Sequence, residues 1–266
     1  MRSAGSRPVG YDDRGSGPPL VLLHPFPLTR GTWAGLADAF AARRRVITVD
    51  APGFGESPLG GSWSIADLAD AVAALLAERG LERATLLGMS MGGYAALAFA
   101  ARHGDRLSGL VLADTRAAAD GPEAQAGRAT ALETIRREGP DAYLAASLPR
   151  LLAPGAPATV LAAVRAQAET RAPSLAAGVE ALRDRPDRVA ELAAIACPTL
   201  VVCGERDQVT GAAEMRGMAE AIAGARFELL AGAGHLSHVE APAAFGRVVT
   251  DFLASPALAA AERRAS

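Results

Sequence analysis

Ser90 occupies the centre of GMSMG (residues 88–92), where an apolar run gives way to an alanine-rich one. A serine hydroxyl is a weak nucleophile at neutral pH, and it needs a general base together with an acid that orients that base. In a chain with 28 glycines, a Gly-x-Ser-x-Gly pattern also arises easily by chance. The hypothesis that Ser90 is a nucleophile therefore depends on a histidine and a carboxylate placed where they can reach it.

The chain has four histidines, and their positions differ in what they indicate. His235 follows the glycine-rich AGAG directly after an apolar β-type run, so we predict it as the base. His238 lies three residues later and remains an alternative, although a supporting role next to the catalytic residues or a helix-capping role fits it better. His103 ends a predicted helix, where the helix dipole favours a positive side chain. His24 precedes Ser90 at the end of an earlier run and is expected to stiffen its own loop.

Two aspartates compete for the role of the orienting acid. Asp207 lies just past the apolar run in PTLVVCGERD, between Ser90 and His235 in sequence, and is the preferred acid. Asp114 ends the run LSGLVLAD and could also reach the histidine, so it remains an alternative. Asp50 ends a run upstream of the serine, and we expect it to fix the turn in APGFGES.

Two backbone N–H groups are candidates for stabilising an oxyanion. Attack by serine on a carbonyl creates such a charge, and each well-placed N–H donor contributes roughly 10²–10³ in rate. The N–H of Met91, at the start of the helix after the serine, is the first predicted donor. Phe26 is the second, because the flanking Pro25 and Pro27 in HPFP have no N–H. A stiff turn without a catalytic role is the alternative for HPFP.

Short, continuously apolar runs alternate with helical patterns along most of the chain. This is typical of a doubly wound, mostly parallel α/β sheet covered by helices on both faces. The alternation stops over residues 115–190, where we predict an all-α cap inserted between two strands of a core formed by residues 1–114 and 191–266. Because ligands bind at the C-terminal ends of the strands in such sheets, the insertion would cover the site; a helical decoration without contact to the substrate is the alternative. Only PVGYDD could form the opening strand, and the tail from Ser255 is expected to be frayed.

Composition excludes several classes of partner. The 266 residues are 50% hydrophobic and carry a net charge of −2, which gives no indication of binding to nucleic acid or an anionic membrane.

Cys197 and Cys203 lie six residues apart on one strand and are expected to be free thiols in a cytoplasmic protein. Histidine and cysteine spacing indicates no metal site, and no dinucleotide fingerprint is present, so we expect no cofactor. Homodimer formation is left open.

Six segments together resemble the α/β-hydrolase superfamily: LVLLHPFP, DAPGFGES, LLGMSMGGYAALAFA, LVLADT, PTLVVCGERD and AGAGHLSHVEAP. Within it, the chain is similar to cap-bearing carboxylesterases, 3-oxoadipate enol-lactonases and cofactor-free haloperoxidases or perhydrolases. The resemblance implies an α/β-hydrolase fold with Ser90 as nucleophile, Asp207 as acid and His235 as base. It also implies Phe26 and Met91 as oxyanion donors. A serine rather than an aspartate at the turn sets the chain apart from haloalkane dehalogenases and epoxide hydrolases.

We therefore predict a serine hydrolase that cleaves a small carboxylic ester or lactone. Hydrolysis of a C–C bond in a diketone-type substrate uses the same triad and remains an alternative, as does a non-catalytic ligand-binding role; perhydrolysis would be a side activity. Fold-level resemblance does not identify the substrate. Aliphatic cap residues are expected to line the site, and cap arginines could receive a substrate carboxylate; the leucines are Leu148, Leu151 and Leu152, and the arginines are Arg128, Arg136 and Arg150.

Overall fold

A computed structural model describes residues 7–263, and in this part of the chain seven strands form one sheet. The strands are β1 (Tyr11–Gly15), β2 (Pro19–Leu23), β3 (Arg45–Val49), β4 (Ala84–Met89), β5 (Leu107–Ala113), β6 (Thr199–Gly204) and β7 (Arg226–Leu230). They lie in the order β1-β3-β2-β4-β5-β6-β7. Only β1 runs antiparallel to its neighbour, β3; the remaining pairs are parallel. This confirms the predicted doubly wound, mostly parallel sheet.

Eleven α-helices connect and cover these strands within the described residues. They are α1 (Ala34–Ala41), α2 (Ile65–Glu78), α3 (Met91–His103), α4 (Pro122–Arg137), α5 (Pro140–Ser147), α6 (Ala158–Ala166), α7 (Ala172–Arg183), α8 (Ala212–Ala221), α9 (Ser237–Glu240), α10 (Pro242–Leu253) and α11 (Pro256–Arg263). Short 3₁₀ turns occupy Arg30–Trp33, Gly104–Arg106, Leu148–Leu151 and Val189–Ala194. None of the described helices is long and apolar enough to cross a membrane.

The central strands are buried on both faces, which explains their continuous apolar sequences. Every residue of β4, β5 and β6 is buried. Strands with helices on both sides have no solvent-facing positions, so apolar and polar residues do not alternate along them. The sheet therefore forms a rigid platform whose C-terminal edge carries the loops that follow β2, β4, β5, β6 and β7.

Strand β1 is well formed, although its sequence gave a weak signal. Its acidic residues are half-buried and are neutralised by arginines on the neighbouring elements. Arg45 on β3 donates to both carboxylate oxygens of Asp13, at 3.0 and 2.7 Å. Arg30 donates to Asp12 at 2.9 Å. These bonds hold the pKa of each aspartate below its ordinary value, despite partial burial. A charged edge strand is stable here because its partners are charged as well.

The C-terminal segment is a helix as far as Arg263, so the predicted frayed tail was wrong for the residues that the structure describes. Leu258 on α11 is fully buried against β5. A Cβ atom added to Gly109 would lie 2.5 Å from a methyl carbon of Leu258. The helix is also tied to the core by an ion pair between Glu262 and Arg44. One buried leucine in an alanine-rich, polar tail is too little periodicity to predict this docking.

The connection between β5 and β6 consists of helices in the described structure, namely α4 to α7 with two of the 3₁₀ turns. It leaves the sheet at the C-terminal end of β5, the same edge at which β4 ends. The boundaries proposed from sequence, residues 115 and 190, stay predictions. We refer to this helical connection as the cap.

Candidate active site

Ser90 occupies the turn between β4 and α3, with φ 50° and ψ −114°. This conformation is rare for a residue with a side chain and costs of order 1–3 kcal/mol, so surrounding contacts must enforce it. Two glycines allow the close approach that does so. A Cβ on Gly88 would lie 2.2 Å from the carbonyl oxygen of Gly92, and a Cβ on Gly92 would lie 2.1 Å from that of Leu23. Ser90 is therefore lifted above the sheet edge and remains slightly exposed.

The turn lies where the strand order reverses. Strands β2 and β4 are neighbours, although β3 separates them in sequence and lies on the other side of β2. Ligands in open parallel sheets bind in the crevice at such a point. The loop after β2, which contains Phe26, therefore faces the turn that contains Ser90.

His235 lies between the serine and Asp207, within hydrogen-bond distance of both. Its Nε2 lies 2.8 Å from the Ser90 hydroxyl oxygen, and its Nδ1 lies 2.8 Å from a carboxylate oxygen of Asp207. An ionised carboxylate can only accept, so Nδ1 must carry a proton, which leaves Nε2 free to accept the serine proton. The histidine is buried, at 1% exposure, and so has little freedom to leave this alignment.

Asp207 is held by the loop that follows β6. One carboxylate oxygen accepts from the N–H groups of Val209 and Thr210 at 2.7 and 3.0 Å, and the other from the Thr210 hydroxyl at 2.6 Å. Burial raises the pKa of this carboxyl, but the hydrogen bonds from His235 and Thr210 outweigh it, so the pKa lies below its ordinary value. The aspartate is ionised at neutral pH and oriented toward the histidine.

Asp114, the alternative acid, does not contact His235 through a hydrogen bond in this arrangement. Its carboxyl group accepts from the N–H of Gly204 at 2.7 Å and from the hydroxyl of Ser237. Complete burial raises its pKa to about 7, and the neighbouring Asp207 charge acts in the same direction. Asp114 therefore links the end of β6 to the histidine-bearing segment, while Asp207 contacts the imidazole.

The two predicted oxyanion donors belong to the loop after β2 and to the first residue of α3. Within residues 7–263, the N–H of Phe26 donates no hydrogen bond to another protein group, and that of Met91 finds no acceptor outside its own helix. His24 stiffens the Phe26 loop: its Nε2 accepts from the N–H of Ala51 at 2.9 Å, and its Nδ1 donates to the carbonyl of Pro25 at 3.0 Å. Both N–H groups are thus available for a developing negative charge.

The cap is bonded to the backbone of the Phe26 loop, a contact that the sequence did not predict. Leu28 and Ala168 form an antiparallel bridge. The N–H of Thr29 donates to the carbonyl of Gln167 at 3.1 Å, and the N–H of Glu169 donates to that of Pro27 at 2.9 Å. Backbone pairing between distant segments leaves no residue-type signal. The position of Phe26 therefore depends on the cap segment that follows α6.

His238, the alternative base, has contacts with residues of the loop after β2. Its Nε2 lies 2.7 Å from the hydroxyl of Thr32, and its ring packs 4.7 Å from that of Trp33. Burial, together with the nearby His235, lowers its pKa to about 3, so it is neutral near pH 7. A packing role fits this environment.

The cap residues singled out from sequence divide into two groups. Leu148 and Leu152 are buried and Leu151 is partly buried. Arg128 and Arg136 form ion pairs with Asp120 and Glu133, and Arg150 is exposed. Two of the three arginines thus already have carboxylate partners.

The fold also brings together Cys203, Asp114 and Asp207, whose potential ligand atoms lie within 4.8 Å of one another. Sequence spacing gave no hint of this grouping. Each carboxyl group accepts the hydrogen bonds described above, and the Cys203 sulfur contacts the carbonyl oxygen of Thr210 at 3.6 Å. Burial raises the pKa of the Cys203 thiol, so the thiolate that a metal requires is disfavoured. The two carboxyl groups and the thiol therefore fit internal hydrogen bonding better than metal binding.

A sequence profile of the alpha/beta hydrolase fold matches residues 18–242. Over 246 residues, the chain is 31% identical to the 3-oxoadipate enol-lactonase 2 of Acinetobacter baylyi, covering 90% of the chain and 89% of that enzyme. It is 44% identical to the pimeloyl-[acyl-carrier protein] methyl ester esterase of Aeromonas hydrophila over 105 residues only. That match spans 39% of the chain and about two fifths (40%) of the relative's length.

A solved structure is also similar over most of its length. A thermophilic esterase from Thermogutta terrifontis, determined with malate bound, superposes with a TM-score of 0.88 at 36% identity. The superposition covers 92% of each chain.

Proposed function

Because the chain belongs to the α/β-hydrolase family, we propose that it hydrolyses a small carboxylic ester or lactone through an acyl-enzyme on Ser90. The observation that carries this proposal is the continuous hydrogen-bonded line from the Ser90 hydroxyl through His235 to Asp207, with 2.8 Å at each step. The esterase and enol-lactonase names of the relatives support the same substrate class.

The proposed reaction begins with proton transfer from Ser90 to Nε2 of His235. The serine oxygen attacks the substrate carbonyl carbon, and the resulting imidazolium is stabilised by the Asp207 carboxylate. Collapse of the tetrahedral intermediate breaks the bond to the leaving alkoxide, which takes the proton from Nε2. Water, deprotonated by the same nitrogen, then attacks the acyl-serine. The bond to the serine oxygen breaks, that oxygen takes the proton back from Nε2, and the carboxylic acid is released.

The negative oxygen formed in both steps lies between the N–H groups of Phe26 and Met91. Donors fixed in the backbone require no reorganisation when the charge develops, which makes them effective in a site with little water. The cap over this edge of the sheet supplies the apolar surroundings. In a lactone substrate, the leaving alkoxide stays attached to the acyl group, and the same steps apply.

Replacement of the nucleophile tests this proposal. We expect Ser90→Ala to lower kcat for p-nitrophenyl acetate by more than about 10⁴-fold while the circular dichroism spectrum is unchanged. A fluorophosphonate probe should modify Ser90 in the wild-type protein, as located by peptide mass spectrometry. Ser62→Ala, at an exposed position, serves as the matched control and should keep both wild-type turnover and labelling of Ser90. Undiminished turnover by Ser90→Ala would refute the mechanism, and an unlabelled Ser90 would favour a non-catalytic ligand-binding protein.

A substrate panel separates ester hydrolysis from C–C bond hydrolysis, since both use the same three side chains. It would contain p-nitrophenyl esters of increasing acyl length, five- and six-membered lactones and a vinylogous diketone, with Ser90→Ala as the blank. We expect cleavage of the esters or lactones and none of the diketone. Preferential cleavage of the diketone would overturn the proposed substrate class and leave the role of Ser90 intact.

A further inference from the structure

We propose that Glu240 is a positioning residue for His235, and that it acts by clamping the histidine loop to the cap. The histidine loop comprises residues 231–236, between the end of β7 and the start of α9. Glu240 is the last residue of α9 and is half-buried. It contacts neither Ser90 nor the imidazole through a hydrogen bond, and the proposed reaction does not use its carboxylate directly.

The Glu240 carboxylate joins two segments that are far apart in sequence. One oxygen accepts from the N–H of Gly234, the residue directly before His235, at 3.0 Å. The other accepts from the N–H of Ala153, in the cap, at 2.8 Å. Both donors are main-chain groups, so the carboxylate fixes backbone to backbone. Hydrogen bonds to an ionised acceptor are about twice as strong as those between neutral groups.

A second bond completes the clamp on the other side of the histidine. The N–H of Leu236 donates to the carbonyl oxygen of Leu151 at 3.1 Å. The N–H groups of the residues on either side of His235, Gly234 and Leu236, are thus both connected to the cap segment 151–153, one through Glu240 and one directly. The ring of His235 projects from a stretch of backbone held at both ends.

Close packing makes this contact specific. A Cβ added at Gly234 would lie 2.3 Å from the backbone nitrogen of Ala153 and 2.7 Å from the carbonyl carbon of Leu152. The cap backbone therefore lies directly against the histidine loop, with no space for a side chain between them. If the Glu240 bonds were lost, the cap and loop could separate and the loop could shift.

Such a shift matters because His235 must meet two partners at once. It lies 2.8 Å from both Ser90 and Asp207, and displacements of about 1 Å in a catalytic arrangement can cost on the order of a hundredfold in rate. A glutamine at position 240 has one acceptor oxygen, and its NH₂ group would face an N–H donor. It can satisfy Gly234 or Ala153, but not both. An aspartate keeps the charge, but its side chain is one methylene too short to reach the N–H groups of both Gly234 and Ala153.

This inference rests on the proposed role of His235 as base, so the experiment separates the two. We would measure kcat, KM and the pH dependence of kcat/KM for p-nitrophenyl acetate, and the rate of fluorophosphonate labelling, in Glu240→Gln and Glu240→Asp. The matched control is Glu205→Gln, since Glu205 accepts from the N–H of Gly232 in the same loop at 2.9 Å but does not contact the cap through that bond. His235→Ala tests the base itself.

We expect both Glu240 variants to fold, to lower kcat about 10- to 100-fold with a smaller change in KM, and to shift the acidic limb of the pH profile. Labelling of Ser90 should slow in parallel, and Glu205→Gln should stay within about twofold of wild type. Folded Glu240 variants with wild-type kcat and pH profile would overturn the inference. If Glu240→Gln does not fold, Glu240→Asp decides by the same criteria. Full activity in His235→Ala would instead refute the proposed function.

Discussion

Asp114 accepts a hydrogen bond from the hydroxyl of Ser237, two residues beyond the histidine whose Nδ1 lies 2.8 Å from Asp207. The two carboxyl groups therefore hold the same segment at different points, and only one contacts the imidazole. Their environments push their pKa values in opposite directions: that of Asp114 up to about 7 and that of Asp207 below its ordinary value. Sequence position alone does not separate these roles, because both aspartates follow strands that end at one edge of the sheet.

The first prediction concerns which aspartate orients the base. Asp207→Asn should lower kcat by roughly 10³–10⁴-fold, because an amide in this position no longer selects the productive histidine tautomer. Asp114→Asn should cost tenfold at most, since asparagine can still accept from Gly204 and donate to Ser237. Steady-state kinetics with p-nitrophenyl acetate measures both. If Asp207→Asn kept wild-type activity and Asp114→Asn were inactive, Asp114 and not Asp207 would be the acid that orients His235.

The second prediction is a pH dependence of stability that arises from Asp114. Its carboxyl is protonated in the folded protein up to about pH 7, whereas in the unfolded chain it ionises near 3.8. Between these values the folded state binds the additional proton, so this group makes the free energy of unfolding fall as pH rises. The slope is at most about 1.4 kcal/mol per pH unit.

Urea unfolding of wild type and Asp114→Asn at a series of pH values from about 4 to about 9 would measure this effect. Asparagine does not titrate, so the stability of the variant relative to wild type should rise up to about pH 7 and then level off. A difference that is independent of pH would show that Asp114 remains ionised throughout, contrary to its complete burial.

The third prediction concerns the packing of the cap on Phe26. A Cβ at Gly178 on α7 would lie 2.7 Å from a ring carbon of Phe26 and 3.0 Å from one of Phe54, so Gly178→Ala must displace these rings. The Phe26 N–H is a proposed oxyanion donor, and a small displacement of it should weaken its hydrogen bond to the oxyanion. We therefore expect kcat/KM to fall about tenfold. The reference variant is Gly217→Ala on α8, where nothing lies within 4 Å of the added atom. It should gain up to about 1 kcal/mol in stability and keep full activity. Equal behaviour of the two variants would show that the Phe26 loop tolerates the displacement.

The fourth prediction concerns the C-terminal helix. Leu258 is fully buried, so Leu258→Ala should reduce the free energy of unfolding by about 2–5 kcal/mol. Its partner Gly109 lies near the start of β5, whereas the proposed catalytic groups follow the ends of the strands, so kcat of the folded variant should be unchanged. Leu229→Ala, at a side chain that is 42% exposed, should change stability by no more than about 0.5 kcal/mol. A negligible loss in Leu258→Ala, measured by urea unfolding, would mean that α11 is dispensable.

Much of the core could be predicted from sequence because it obeys simple periodicities. Strands buried on both faces appear as uninterrupted apolar runs, and Ser64 with Asp67 marks the start of α2 through the capping box found in the structure. The turn at Ser90 was recognisable because close approach of two backbones demands glycine at fixed spacing. The family and the doubly wound, mostly parallel sheet could be predicted from such features, whereas the order of the strands is known only from the structure.

The remaining parts depend on pairings between distant residues, for which one sequence carries no signal. The acidic strand β1 is stable only because Arg30 and Arg45 lie beside it. Leu258 finds a place because Gly109 leaves room for it. The contacts made by Glu240 use main-chain N–H groups, which every residue except proline has. Spacing cannot identify such partners, whatever the residue types.

The backbone bridge between Leu28 and Ala168 also bears on how this scaffold could be given new selectivity. A cap that bonds to the loop of a proposed oxyanion donor is not an interchangeable module. Transplanting a whole cap from a relative would carry foreign partners to that loop, so the acceptance of new substrates would be accompanied by a loss of rate. Grafts confined to α4 and α5, with residues 148–171 left native, would allow substrate selectivity to be changed without a loss of rate.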